Sequence, residues 1–184
     1  MATEWTVRAI TRATLPILLV LTLVAVASGL VLGGFEETLL EYPSLLVLVP
    51  VTIGSAGNLG SVLASRLSTA FHLGTLSFGA DETLLGNAIA TVALSLTVFP
   101  VIGAGAWLLT SLLTESGLTF TTVLVVAVVS GAVLAVLAVL VTVTTAYAAY
   151  QLELDPDDVV IPVVTNTCDV LGVLVLFAVV QVVV

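Results

Sequence analysis

From Ala13 to Leu32, from Thr83 to Leu113 and from Leu118 to Tyr150 the chain carries no charged side chain. Each run reaches the ~20 apolar residues that a helix needs to cross a hydrocarbon core roughly 30 Å thick. Two further runs break the pattern once each. Ser44–Phe71 contains Arg66, and the closing segment beyond Asp158 contains Asp169. Of 184 residues, 60% are hydrophobic and only 8% are charged. No water-soluble domain of this size could leave so much apolar surface exposed. The pattern predicts an all-α integral membrane protein, a bundle of five transmembrane helices.

The expected spans are Ala13–Leu32, Ser44–Phe71, Thr83–Leu113, about Leu118–Tyr150, and a fifth from near Asp157 to the C-terminus. Gly33-Gly34 ends the first, and an acidic loop with Glu36, Glu37 and Glu41 follows. The second is expected to be broken up by Pro50, Gly54, Gly57 and Gly60, and the third to kink at Pro100. His72–Glu82 forms a polar connection, and Glu115-Ser116-Gly117 a tight turn. The first span follows Arg8 and Arg12 but has no small-residue cleavage site, so it reads as a retained helix and not a signal peptide. No soluble segment interrupts the pattern, so residues 1–184 are expected to form a single membrane domain with no cytoplasmic regulatory domain. The lone Cys168 has no partner for an internal disulfide.

Twelve acids face three arginines, one histidine and no lysine, a formal net charge of −9. Nucleic acid and anionic lipid both require basic patches, so neither is an expected partner. Acidic, lysine-free loops suit a salt-adapted organism, and they also concentrate cations near a pore entrance. The two explanations are compatible. Arg8, Arg12, Arg66 and His72 fall on one side if the first two spans each cross once. The positive-inside rule makes that side cytoplasmic, with the N-terminus inside and the C-terminus outside the cell membrane.

Polar residues enter the membrane in two places. In the second span Gly54, Asn58, Ser61, Ser65, Ser68 and His72 recur at helical spacing and share one stripe. Small and hydroxylated residues also let membrane helices pack closely, which is the simpler explanation for the serines. Asn58, within Gly-Ser-Ala-Gly-Asn-Leu-Gly, is harder to dismiss. In the fifth span Asp155, Asp158, Pro162, Thr165, Asp169 and Gly172 share a face, with Asn166 close to it. Asp169 lies about 18 Å into a helix that starts near Asp157. An ionised acid there costs at least ~2.5 kcal/mol, so it marks an ion or proton pathway unless something pairs with it. Arg66 is the candidate ion-pair partner, though it lies toward the end of its own span. The acids at the start of the fifth span also suit helix capping, Asp157 above all. His72 reads as an interfacial residue, and Cys168 as a packing one.

The segment PVTIGSAGNLGSVLASRLSTAFHLG (Pro50–Gly74) resembles the second-helix signature of MgtE-type magnesium transporters and their solute-carrier relatives. Gly57-Asn58-Leu59 and Leu63–Thr69 carry the match, which is closer to the solute-carrier branch. DPDDVVIPVVTNTCDVLGVLVLF (Asp155–Phe177) resembles the family's fifth helix at Asp155-Pro156, Pro162, Thr165 and Asp169. The acidic, lysine-free composition is what a halophilic archaeon would be expected to use. The resemblance implies a five-helix pore module that works as a pair, its path lined by helices 2 and 5. It implies that Asp169 holds hydrated Mg2+, with Asn58 and the backbone around Ala56 and Gly57 contributing, and Thr165 and Asp155 along the path. The bacterial members close through cytoplasmic regulatory domains, which this sequence is not expected to have.

The donor types agree with a hard cation. Mg2+ takes oxygen ligands and keeps much of its water, and Asp, Asn, Ser, Thr and backbone oxygens suit it, as they also suit Mn2+, Co2+ or Ca2+. One intramembrane acid is a sparse supply for a divalent ion. Two Asp169 carboxylates across a twofold axis would meet a +2 cation with −2. A homodimer is therefore expected, or a heterodimer with a related five-helix subunit. No ATP-binding loop is present, so passage should be channel-like or coupled to another ion. No paired nucleophile and base suggests an enzyme. The remaining alternative is a non-transporting membrane subunit that assembles with or regulates a partner.

Overall fold

A computed structural model describes residues 6–75, 82–113 and 117–184. Its elements in chain order are α1 (Val7–Gly33), α2 (Glu36–Glu41), α3 (Pro43–His72), α4 (Glu82–Leu113), α5 (Phe120–Gln151) and α6 (Pro156–Val183). Five of them are long and apolar enough to cross a membrane. The expected turn residues Glu115 and Ser116, and residues 76–81 of the expected connection after His72, lie outside the described residues.

Helix ends follow local chemistry. Thr6 and Thr119 accept the Ala9 and Thr122 backbone N–H groups at 3.2 Å, so the fourth span starts at Phe120. Pro43 and Pro156 open α3 and α6, where a missing N–H costs nothing. At the end of α3, Gly74 adopts φ +67°, and the N–H groups of Gly74 and Thr75 turn back to the carbonyls of Phe71 and Ala70. That pair of bonds closes the helix with a left-handed residue, which glycine adopts without strain.

Two expectations change. The acidic loop after Gly34 contains α2, a single amphipathic turn. Its Leu39 is buried, and Phe35 just before it stacks on Phe177 at 3.8 Å. In addition, α3 is not broken up: it runs without interruption through Pro50, Gly54, Gly57 and Gly60, as α4 does through Pro100 and α6 through Pro162. In hydrocarbon the alternative to an intrahelical bond is an unsatisfied peptide group, which outweighs the weak helix preference of glycine.

The bundle centres on α3, α5 and α6. α3 and α6 share the most extensive interface, α4 packs on α3 and α5, and α1 packs chiefly on α6, leaving most of its own surface exposed. The apolar interior divides in two. One cluster joins Leu45, Leu48, Val123, Val126, Leu176 and Phe177 toward the start of α3. The other joins Leu63, Leu67, Leu134, Ala138, Val160 and Val164 toward its end. Asp169 lies near the level where the two meet, while the other polar residues of the α3 and α6 stripes lie alongside the second cluster or at its far end.

Candidate functional site

The two polar stripes face one another. Ile53 of α3 lies against Gly172 of α6, Gly57 against Thr165 and Asp169, Gly60 against Val164 and Cys168, and Ser68 against Asp157. Numbers rising along α3 meet numbers falling along α6, so the helices are antiparallel. Both have their midpoints at this contact. Asp169 lies about 20 Å into a helix of about 42 Å, and Gly57 about 21 Å into one of about 45 Å.

Glycine makes the approach possible. A β-carbon on Gly172 would stand 2.8 Å from Ile53 Cγ1 and 3.3 Å from its Cα, closer than packed carbons tolerate. One on Gly57 would stand 3.4 Å from Thr165 Cγ2 and 3.7 Å from Asp169 Oδ1. The carboxylate therefore extends over bare backbone of the opposite helix. Beside it, Ser61 Oγ and Thr165 Oγ1 lie 3.0 Å apart, and these hydroxyls also donate to the Gly57 and Ile161 carbonyls at 2.8 and 2.9 Å.

Asp169 is half-buried, and among the described residues its carboxylate has no hydrogen-bond or ion-pair partner. Arg66 is not its counter-charge, since its guanidinium donates to Asn87 Oδ1 at 2.9 Å. Asn58 is exposed on the outer side of α3, together with Gly54 and Ser65. Asn166 donates to the Pro162 carbonyl at 3.1 Å, so its amide braces the α6 backbone at the proline. A proline at 162 leaves the Asp158 carbonyl without its usual helical donor.

The structure thus brings Asp169, Gly57 and Thr165 together and places Asn58 next to Gly57 on the exposed stripe. Asp155 does not reach the same point, and Ala56, expected to contribute by its backbone, adjoins Gly57 there while its side chain turns away. The Ala56 side chain is fully buried in the interior cluster. Asp155 sits at the start of α6, about 21 Å from Asp169 along the helix axis. Cys168 is buried at 1% exposure and packs in the interior.

Asp155 belongs to a second constellation, at the start of α6. Its carboxylate, not that of Asp157, caps α6, accepting the Asp157 N–H at 3.0 Å. Asp157 instead accepts the hydroxyl proton of Ser68 at 2.6 Å. His72 stands within the same group: one potential ligand atom from each of His72, Asp155 and Asp157 falls within 4.8 Å of the others. Its Nδ1 is 2.9 Å from the Ser68 carbonyl, which fixes Nδ1 as the protonated nitrogen. His72 is exposed at the end of α3, beside these two acids. The α3 stripe already contained Ser61 and His72, but their α6 partners depend on helix register, which no spacing within one helix reveals.

Residues 49–179 match the family model MgtE, described as a divalent cation transporter. No curated protein matches the chain.

Proposed function

The chain belongs to the MgtE family of divalent cation transporters, and from that we propose that it moves hydrated Mg2+ across the cell membrane through a pore lined by α3 and α6 of two copies. The observation that carries this reading is Asp169. It is a mid-helix carboxylate, half-buried over the glycine of a facing helix, with no protein counter-charge among the described residues. A mobile cation is the counter-charge such a residue takes.

Several features support the finer points. The exposed stripe of Gly54, Asn58 and Ser65 would be poorly placed against lipid, and a second copy turned about a twofold axis covers it with its own polar stripe. Two Asp169 carboxylates then oppose one divalent cation, with Asn58, Thr165 and the backbone at Ala56 and Gly57 serving its water shell. Mg2+ suits that arrangement because it keeps most of its water and needs few direct carboxylates. With Arg8, Arg12, Arg66 and His72 on the cytoplasmic side, the N-terminus is inside and the C-terminus outside. Asp155 and its neighbours then form the inner mouth. An inside-negative potential favours inward movement of a divalent ion by ~4.6 kcal/mol per 100 mV, from ~2.3 per unit charge.

The test is Mg2+ uptake into proteoliposomes, with Mn2+, Co2+ and Ca2+ as competitors, together with native mass spectrometry in mild detergent. Asp169→Asn should lower uptake at least about tenfold, the effect of ~1.4 kcal/mol, while dimer mass and thermal stability hold. Full uptake by that variant would assign the chain to a non-transporting, partner-binding role. A monomer that transports normally would remove the shared pore.

A further inference from the structure

The contact between Ser61 and Thr165 has too few protons for its acceptors. Besides Ser68–Asp157 at the mouth, it is the one side-chain hydrogen bond joining α3 to α6 among the described residues. Two hydroxyls supply two protons, yet three acceptors lie in reach: the Gly57 carbonyl, the Ile161 carbonyl, and the oxygen of the other hydroxyl. Whenever the hydroxyls bond each other across the interface, one backbone carbonyl gives up its side-chain donor. If Ser61 donates to Thr165, the carbonyl set free is that of Gly57, the residue over which Asp169 extends.

The Thr165 side chain is committed on both sides. Its hydroxyl faces Ser61, and its methyl is 3.4 Å from the point where a Gly57 β-carbon would stand, with Asp169 Oδ1 3.7 Å from that same point. The rotamer that satisfies the hydroxyl also sets the methyl as a wall against Gly57, on the face of α6 that carries the carboxylate. A β-branched residue holds its rotamer stiffly, so the wall is rigid as long as the hydroxyl is held.

We propose that Ser61 and Thr165 act as a positioning and specificity pair, fixing the α3–α6 spacing beside Asp169 and with it the size of cation, water shell included, that the carboxylate accepts. This rests on the pore reading above. Neither residue need touch the metal, since both act through the carboxylate and the Gly57 backbone. A cation that sheds water easily, such as Ca2+, should gain most when the spacing loosens, and Mg2+ least.

The experiment measures half-saturating concentrations of Mg2+ and Ca2+ in the same proteoliposomes for the full chain, Ser61→Ala, Thr165→Val and Thr165→Ser, with Asp169→Asn as reference. Thr165→Val keeps the shape and removes the hydroxyl. Ser61→Ala and Thr165→Val should each shift the Ca2+/Mg2+ ratio about threefold to tenfold toward Ca2+, the scale one hydrogen bond commands. Thr165→Ser keeps the hydroxyl but loses the methyl, so it should shift the ratio less than Thr165→Val does. A purely architectural role would lower transport of both ions alike and leave the ratio unmoved. An unmoved ratio in both hydroxyl-deleted variants, with uptake lost in Asp169→Asn, would overturn the pair and spare the pore. Uptake intact in Asp169→Asn would overturn both.

Discussion

Gly131 in α5 and Gly57 in α3 each receive a neighbour against bare backbone, but the neighbours differ in kind. Gly131 takes the ring of Phe99, and Gly103 on α4 similarly faces Ala127 and Leu124. That α4–α5 contact is carbon on carbon at Gly131, and at Gly103 it adds only the Val123 backbone carbonyl. The hydroxyls of Thr91 and Ser95 on α4 turn back to the Asn87 and Val92 carbonyls of their own helix. Gly57 instead takes a threonine methyl and a carboxylate oxygen, and the hydroxyls next to it meet across the interface. The same close-packing device serves both places. Small residues therefore do not by themselves identify a pathway, and neither does an unpaired hydroxyl, since Ser130 Oγ beside Gly131 is also buried without a partner among the described residues. The distinguishing feature is a carboxylate without one.

The comparison breaks most visibly at Gly131. A β-carbon there would overlap the Cβ, Cγ and Cδ2 atoms of Phe99, itself buried at 1% exposure. Neither the ring nor the helix can yield cheaply. Gly131→Ala should cost about 3 kcal/mol, the upper range for overpacking a well-filled core. Unfolding in denaturant would measure it, and the Ca2+/Mg2+ ratio of the folded fraction should not move. A changed ratio at wild-type stability would mean the α4–α5 contact is not inert toward the ion.

Gly57→Ala should do the reverse. Its methyl would meet Thr165 Cγ2 at 3.4 Å and Asp169 Oδ1 at 3.7 Å, ordinary contact distances, so stability should change by less than about 1 kcal/mol. The methyl would, however, lie against the carboxylate, where in the proposed pore a cation's water approaches. Uptake should fall by about threefold to tenfold, as expected when roughly 1 kcal/mol of favourable interaction is lost. Unfolding and uptake measured on one preparation separate the two glycines. Equal losses of stability at both would erase the distinction.

The sequence made much of this legible, for reasons that also explain what it hid. Five spans were readable because a long run without charge has few other fates, and the stripes on α3 and α6 were readable because helical spacing is a property of one segment. α2 escaped because its six residues include three acids, and only the Phe35–Phe177 stack and buried Leu39 hold it down. The continuity of α3 ran against its glycines and Pro50, since residue preferences measured in water underrate the demand for backbone hydrogen bonds in lipid. The pairing of Ser61 with Thr165, and of His72 with Asp155 and Asp157, depends on how far Gly57, Gly60 and Gly172 let two helices approach. That distance is a product of packing and is written in neither helix alone.

The mouth offers the smallest effect and the finest discrimination. Asp157 accepts the Ser68 proton at 2.6 Å, and Ser68 is only 5% exposed. Asn at 157 keeps an oxygen in the same place, so Asp157→Asn removes one negative charge while the hydrogen bond and the Asp155 cap persist. If the acids at the start of α6 act by gathering cations before entry, the effect is one of field, not of coordination. Half-saturation for Mg2+ should then rise about twofold to threefold at low ionic strength and return to the wild-type value in ~1 M salt, where the Debye length shrinks to roughly 3 Å. The Ca2+/Mg2+ ratio should stay fixed, because a field weighs charge and both ions carry the same. A deficit that survives high salt would instead place Asp157 in direct contact with the ion, and the mouth would join the mid-membrane contact as a second point of selection.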